Sequence, residues 1–155
     1  MMQLPTVQGA NLARQTLTFP ANFAGELNLV FVPFQQWQQR DVDSWGALAE
    51  TLRQTTPSFE YYEFPTIQRM NFLSRTFINE GMRAGIPNDA TRRRTITLYL
   101  DKRPFKQALN ISTEDQIWVY LMDKQGNVLW HSSGPFTPEK GAELQTAVAQ
   151  QQLPV

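Results

Sequence analysis

Residues 29–45, LVFVPFQQWQQRDVDSW, read as a buried strand that breaks into a glutamine-rich turn and passes into a helix. Extended back to Leu27, the run holds Leu27, Leu29, Val30, Phe31, Val32 and Phe34, the near-continuous apolar pattern of a central strand covered on both faces. Pro33 belongs at its end, since proline has no N–H for the ladder. Asp41, Asp43 and Ser44 are N-cap candidates for a helix whose inner face carries Trp45, Leu48, Ala49 and Leu52. A helix start at the carboxyl end of a strand is a natural place for an anion or a partner's backbone. One residue type is missing from this turn and from the whole chain. None of the 155 residues is a cysteine.

Working outward, residues 9–19 alternate weakly and predict an early hairpin closed by Pro20. On the other side, Thr55, Thr56 and Pro57 stop the helix, and residues 58–64, SFEYYEF, have strand composition. Pro65 and Thr66 then read as the opening of a second helix, with Ile67, Met70, Leu73, Phe77 and Met82 at helical spacing. A loop with three consecutive arginines, Arg92, Arg93 and Arg94, leads to the strand 95–100, TITLYL, and a short helix over 104–109. Residues 116–122 and 127–132, joined by Asp123-Lys124-Gln125-Gly126, give the strongest hairpin signal in the chain. Thr137 as N-cap and Pro138 at N1 start the last helix, with Leu144, Ala147 and Val148 inward. Strands alternating with helices predict a mixed sheet covered on both faces, in one domain over residues 1–155.

Composition excludes several classes. At this length a folded chain buries about 68–70% of its unfolded surface, so no disulfide or metal staple is required. The formal net charge is zero, with 14 basic and 14 acidic side chains, which is no nucleic-acid signature. Between Phe64 and Lys106, however, nine basic residues face three acids. That asymmetry marks either an anionic partner or a solvated face and loop. No apolar run is long enough to span a bilayer. The start, MMQLPTVQGA, has no basic or apolar leader pattern, so the expected compartment is the cytoplasm unless an upstream segment has been trimmed.

The order of elements resembles the thioredoxin-like superfamily, and within it the redoxin branch. Phe23-Ala24-Gly25 matches that branch's turn before the first core strand, and Asp123 with Gly126 matches its closing-hairpin turn. Gly134 matches the glycine soon after the last strand. More closely, Val42-Asp43-Ser44-Trp45, and Asp123 with Val128-Leu129-Trp130 before Ser133-Gly134, are similar to the cysteine-less mitochondrial ATP-synthase assembly factor family. The resemblance implies an α/β fold: a thioredoxin-like three-layer α/β/α sandwich with a mixed central sheet, an N-terminal hairpin, and a C-terminal hairpin plus helix. It implies assembly of the membrane sector of the ATP synthase rather than catalysis. In a redoxin the cysteine pair would fall near Trp37 and Arg40, and a cis-proline would stand in residues 112–116. Here those residues are STEDQ, with no proline between Pro104 and Pro135.

A thiolate is the nucleophile of disulfide exchange, so this chain has no such reaction to offer. What is left is a turn for recognition: Trp37, Gln38, Arg40, Asp41 and Ser44 are its candidate binding residues, Trp and Arg being typical anchors. The plainer alternative packs Trp37 over the sheet edge and leaves the glutamines to solubilise the turn. Arg92, Arg93 and Arg94 form a second candidate patch, for an anion or an acidic protein surface. Ser44 as a nucleophile would need a base, and the single histidine, His131, sits on the closing hairpin, facing away from Trp130 and Ser132. No Gly-x-Ser-x-Gly elbow surrounds Ser44. With one histidine and no cysteine no metal site is predicted, and no cofactor motif occurs. The expected function is a non-redox domain that binds a protein partner, not nucleic acid. The alternative is an enzyme that holds glutathione or another anion in the same pocket. A homodimer and attachment to a peripheral membrane complex stay open.

Overall fold

The strand read from residues 27–34 forms as β3, Leu27–Val32, and all six of its residues are buried. The structure, a computed structural model, describes residues 2–69 and 93–152. Around β3 stand β4 (Phe59–Glu63), parallel to it, and β7 (Trp118–Asp123), antiparallel on the other side. β8 (Val128–Ser133) pairs with β7 to complete a four-stranded mixed sheet of order β4-β3-β7-β8. A second mixed sheet has the order β2-β1-β6-β5, from β1 (Val7–Asn11), β2 (Thr16–Phe19), β5 (Thr66–Gln68) and β6 (Ile96–Leu100).

The two sheets share one stretch of chain. Residues 59–63 pair with β3, and the same strand carries on as β5 beside β6, with Glu63 already bridged to Thr95. Thr66 N–H donates to the Pro33 carbonyl while Leu98 N–H donates to that of Pro65. These bonds pair the backbone of the stretch to β3 on one side and to β6 on the other, as burial favours. This overturns the helix expected to open at Pro65 and Thr66. Thr66 is buried with its hydroxyl on the Phe64 carbonyl, and pairing on two sides outweighs a helical spacing of apolar residues. Of that expected helix, Met70, Leu73, Phe77 and Met82 lie outside the described residues, as does Arg92.

Four helices occur among the described residues: α1 (Gln39–Asp43), α2 (Gly46–Thr55), α3 (Lys102–Ala108) and α4 (Pro138–Gln151). Trp45, Ala49 and Leu52 pack with Leu144 and Val148 of α4 against Leu29, Phe31, Val119 and Leu121 on one sheet face. The other face is aromatic, where Phe19, Phe23, Tyr62 and Phe64 meet at centroid distances of 5.0 to 6.4 Å. Phe105 and Leu109, at the end of α3, join that cluster. The result is the expected three-layer thioredoxin-like sandwich. α4 starts as predicted, Thr137 Oγ1 accepting from Lys140 N–H and Pro138 in the first turn.

Two glycines of the redoxin-like turns stand where a side chain would clash or be strained. A Cβ on Gly25 would come within 2.6 Å of the Leu27 carbonyl oxygen and 2.8 Å of that of Ser58, so only glycine lets the chain pass. Gly126 has a φ of +84°, where glycine carries no steric penalty.

Candidate functional site

β3 delivers the chain into a single 3-10 turn, Gln36–Gln38, before α1. Four glutamines fill residues 35–39, and the structure gives them different tasks. Gln38 is fully buried. Its Oε1 accepts from the N–H groups of Phe34 (2.7 Å) and Gln35 (3.2 Å), and its Nε2 donates to the Glu114 carbonyl at 2.7 Å. Gln35 Nε2 reaches the same carbonyl at 3.2 Å. By the resemblance, residues 112–116 are where a redoxin would place its cis-proline, so one amide ties the turn to that stretch. Gln38 was a candidate for partner contact; its buried amide is spent inside the protein.

The far loop is itself held. Trp118 Nε1 donates to the Thr113 carbonyl at 2.9 Å. The Glu114 carboxylate takes Lys102 Nζ and Lys106 Nζ of α3, each at 2.8 Å. Partial burial works to raise the Glu114 pKa, but the two ammonium groups outweigh it and hold the carboxyl below its ordinary value.

Trp37 is the one large hydrophobic side chain left exposed among the described residues, at 51%. Its Nε1 donates to Gln35 Oε1 at 3.1 Å, which fixes the indole beside the turn with about half of its surface in solvent. Arg40 stands next to it with its side chain 83% exposed, at 3.9 Å from Asp41 Oδ1, too long and too wet to fix the guanidinium. Asp41 sits in the first turn of α1, its side chain largely covered.

Ser44 is not the N-cap expected of it, nor are Asp41 and Asp43. α1 ends there and α2 begins at Gly46 behind Trp45, which makes no side-chain cap. The Ser44 hydroxyl donates to the Asp41 carbonyl and accepts from Phe136 N–H at 3.0 Å. Trp45 Nε1 donates to the Gly134 carbonyl at 3.1 Å. Between them, these two neighbours pin the helix break to the loop after β8, so Ser44 is a tether. His131 is exposed on the face of β8 that meets Tyr120, while Trp130 packs on Trp45 from the other face, as strand alternation predicts.

The arginine patch divides. Arg93 is exposed and its carbonyl accepts from Asn11 Nδ2. The Arg94 guanidinium instead lies 4.3 Å over the Tyr61 ring, a cation–π contact, with a buried Nε that has no hydrogen-bond partner. Tyr61 donates to Glu50 Oε2, and burial together with that carboxylate pushes the phenol up to about 12. Beside α1 these groups line a cavity of about 170 Å³ with Asp43 and Glu63. Burial, with Asp43 adding, raises the Glu63 pKa against the pull of Gln39 and Thr95. The sequence marked Gln38 as a binding residue rather than as a buried anchor, and no signal in it marked Glu114, Tyr61 or Glu63, because their bonds run between separate elements.

The profile of the ATP10 protein family matches residues 1–150. The chain belongs to that family. This agrees with the ATP-synthase assembly factor resemblance read from Val42–Trp45 and the closing hairpin. No curated protein shows significant sequence similarity to it. Solved structures share its fold at low identity. Copper-bound ScoI of Arabidopsis thaliana aligns at a TM-score of 0.64 with 10% identity over 97% of this chain and 99% of that one. BsSco, of the Sco family of cytochrome c oxidase assembly proteins, aligns at 0.64 with 12% identity over 96% and 94%. The lipoprotein thioredoxin Etrx1 of Streptococcus pneumoniae aligns at 0.58 with 13% identity over 92% and 98%. This chain itself has no cysteine and a single histidine. Among the described residues no three histidine or acidic side chains gather to hold a metal, and no helix is long and apolar enough to cross a membrane.

Proposed function

We propose that this ATP10-family chain is a non-redox assembly factor that binds a subunit of the ATP synthase through the turn 35–40. The observation carrying this reading is Trp37, half exposed on a backbone that Gln38 locks from beneath. Rigid placement lowers the entropy lost on association, and a Trp–Arg pair is typical of interface hot spots. The competing enzyme reading draws no support from the cavity beside α1. Its lining sets the carboxyls of Glu63 and Asp43 against the single guanidinium of Arg94, which gives no net positive charge for an anion such as glutathione.

The test is affinity capture with the full chain from a membrane extract of its own cells, quantified for ATP-synthase subunits by mass spectrometry. A Trp37→Ala, Arg40→Ala double variant is expected to lower their recovery about tenfold, the loss of one or two hot-spot contacts. Equal recovery would remove the turn as the contact surface. Absence of ATP-synthase subunits from both captures would remove the assembly reading. Insulin-reduction and peroxidase assays are expected to show no turnover.

A further inference from the structure

A second feature abuts the turn through Glu114. Its carbonyl holds Gln38 and Gln35, while its carboxylate faces an open groove of about 680 Å³ along α3. That volume falls within the roughly 300–1,000 Å³ of ligand-sized clefts. The lining is polar and carries a small positive excess: Lys102, Arg103 and Lys106 against Asp101 and Glu114. Both acids are engaged within the fold. Glu114 takes the two lysines, and Asp101 caps α3 by accepting from Arg103 N–H. The Arg103 guanidinium is exposed and makes no ion pair among the described residues. Beside it the side-chain amides of Gln107 and Asn110, both exposed, have no hydrogen-bond partner among the described residues.

We propose that this groove receives an extended acidic segment of the protein partner, one carboxylate on Arg103 and the adjoining backbone on the Gln107 and Asn110 amides. The inference rests on the protein-binding reading and names the chemistry of what is bound. One open guanidinium matches one carboxylate in the fork geometry that arginine favours. Free amides, which both donate and accept, match the peptide backbone beside it. A polyphosphate chain would require a row of uncommitted cations, and the two lysines are already taken by Glu114.

The experiment uses the full chain and a fluorescein-labelled octapeptide of alternating Glu and Ser, read by fluorescence anisotropy beside its Gln/Ser counterpart. The Glu peptide is expected to bind about tenfold tighter, and Arg103→Glu to lower its affinity about tenfold, as for loss of one charge-assisted contact. Lys124→Glu makes the same charge change in the β7–β8 turn and is expected to leave affinity unchanged. Arg103 makes no side-chain bond that folding needs, and an unchanged melting temperature verifies this for the variant. No measurable binding, equal binding of the two peptides, or an equal loss from Lys124→Glu would each overturn the proposal. Displacement of the peptide by a lower concentration of single-stranded oligonucleotide would overturn it too, as a polyanion site. If Arg103→Glu retains the captured subunits that the Trp37, Arg40 variant loses, the groove fails and the turn stands.

Discussion

Two turns in this molecule are each held by one side chain, and they hold for different ends. In the β7–β8 turn, Asp123 Oδ1 accepts from Gln125 N–H and Asn127 N–H at 2.9 Å, and Oδ2 takes Asn127 Nδ2. Every bond of the Asp123 carboxylate stays within five residues, and the tip, Lys124 and Gln125, is exposed and polar. In the turn 35–38 the anchor is a buried neutral amide, and one of its bonds crosses 76 positions to Glu114. The tip there is Trp37. A local anchor makes a chain reversal; a long-range anchor fixes where that reversal stands relative to the rest of the fold. Only the second gives a projecting tryptophan a definite address.

The largest break in this contrast is Gln38→Ala. It takes the acceptor from Phe34 N–H and Gln35 N–H and one of the two donors from the Glu114 carbonyl, which keeps Gln35 Nε2, at about 1–3 kcal/mol for a group left unpaired. The expected loss is about 3 kcal/mol, a fall in melting temperature of roughly 6–12 °C by calorimetry at this chain length. Subunit capture should fall with it, measured below the new midpoint. Asp123→Ala removes bonds that are half in solvent, so about 1–2 kcal/mol is expected by urea titration. Capture by that variant should match the wild type. A loss equal to that of Gln38→Ala would erase the distinction between the turns.

Smaller effects come from three carboxyls, read as stability against pH. Glu50 is held down from 4.5 to about 2 by Arg53, then by Tyr61. Its contribution is complete above the unfolded pKa and fades as pH falls from 4.5 toward about 2. Glu114, also lowered, acts in the same direction. Glu63 has the opposite sign. Its folded pKa is raised by burial, so its contribution is full below the unfolded value and lost as pH rises through the folded one. Glu63→Gln is therefore expected to flatten the decline above the ordinary carboxylate range, while Glu50→Gln flattens the decline below it. Denaturant midpoints across pH for both variants check the signs, and parallel curves would refute them.

The legible part of the fold was the part whose partners lie close in sequence or whose burial is total. β3 announces itself by six buried residues in a row, the closing hairpin by Asp123 and Gly126, and α4 by Thr137 and Pro138. The strand at Thr66 was hidden because its pairing with β6 comes from residues thirty-two positions further on. Ser44 misled for a related reason. Its hydroxyl fits an N-cap by local rule, yet Phe136, 92 residues away, claims it. At the candidate site the exposed members, Trp37 and Arg40, could be named from residue type. The buried Gln38 could be placed in the turn, but its bond to Glu114 is between an amide and a backbone carbonyl, which leaves no trace in composition.

The strand shared by both sheets also sets an order of assembly during synthesis. Its first half can meet β3 as soon as Glu63 has emerged, because that partner is already made. Its second half must wait for Leu100, and β1 waits for the same late strand. A nascent chain caught between these points carries two unsatisfied strand edges, templates for pairing with the wrong neighbour. Ribosomal pausing in this interval would expose the chain to aggregation, and a chaperone that shields strand edges would be most useful there.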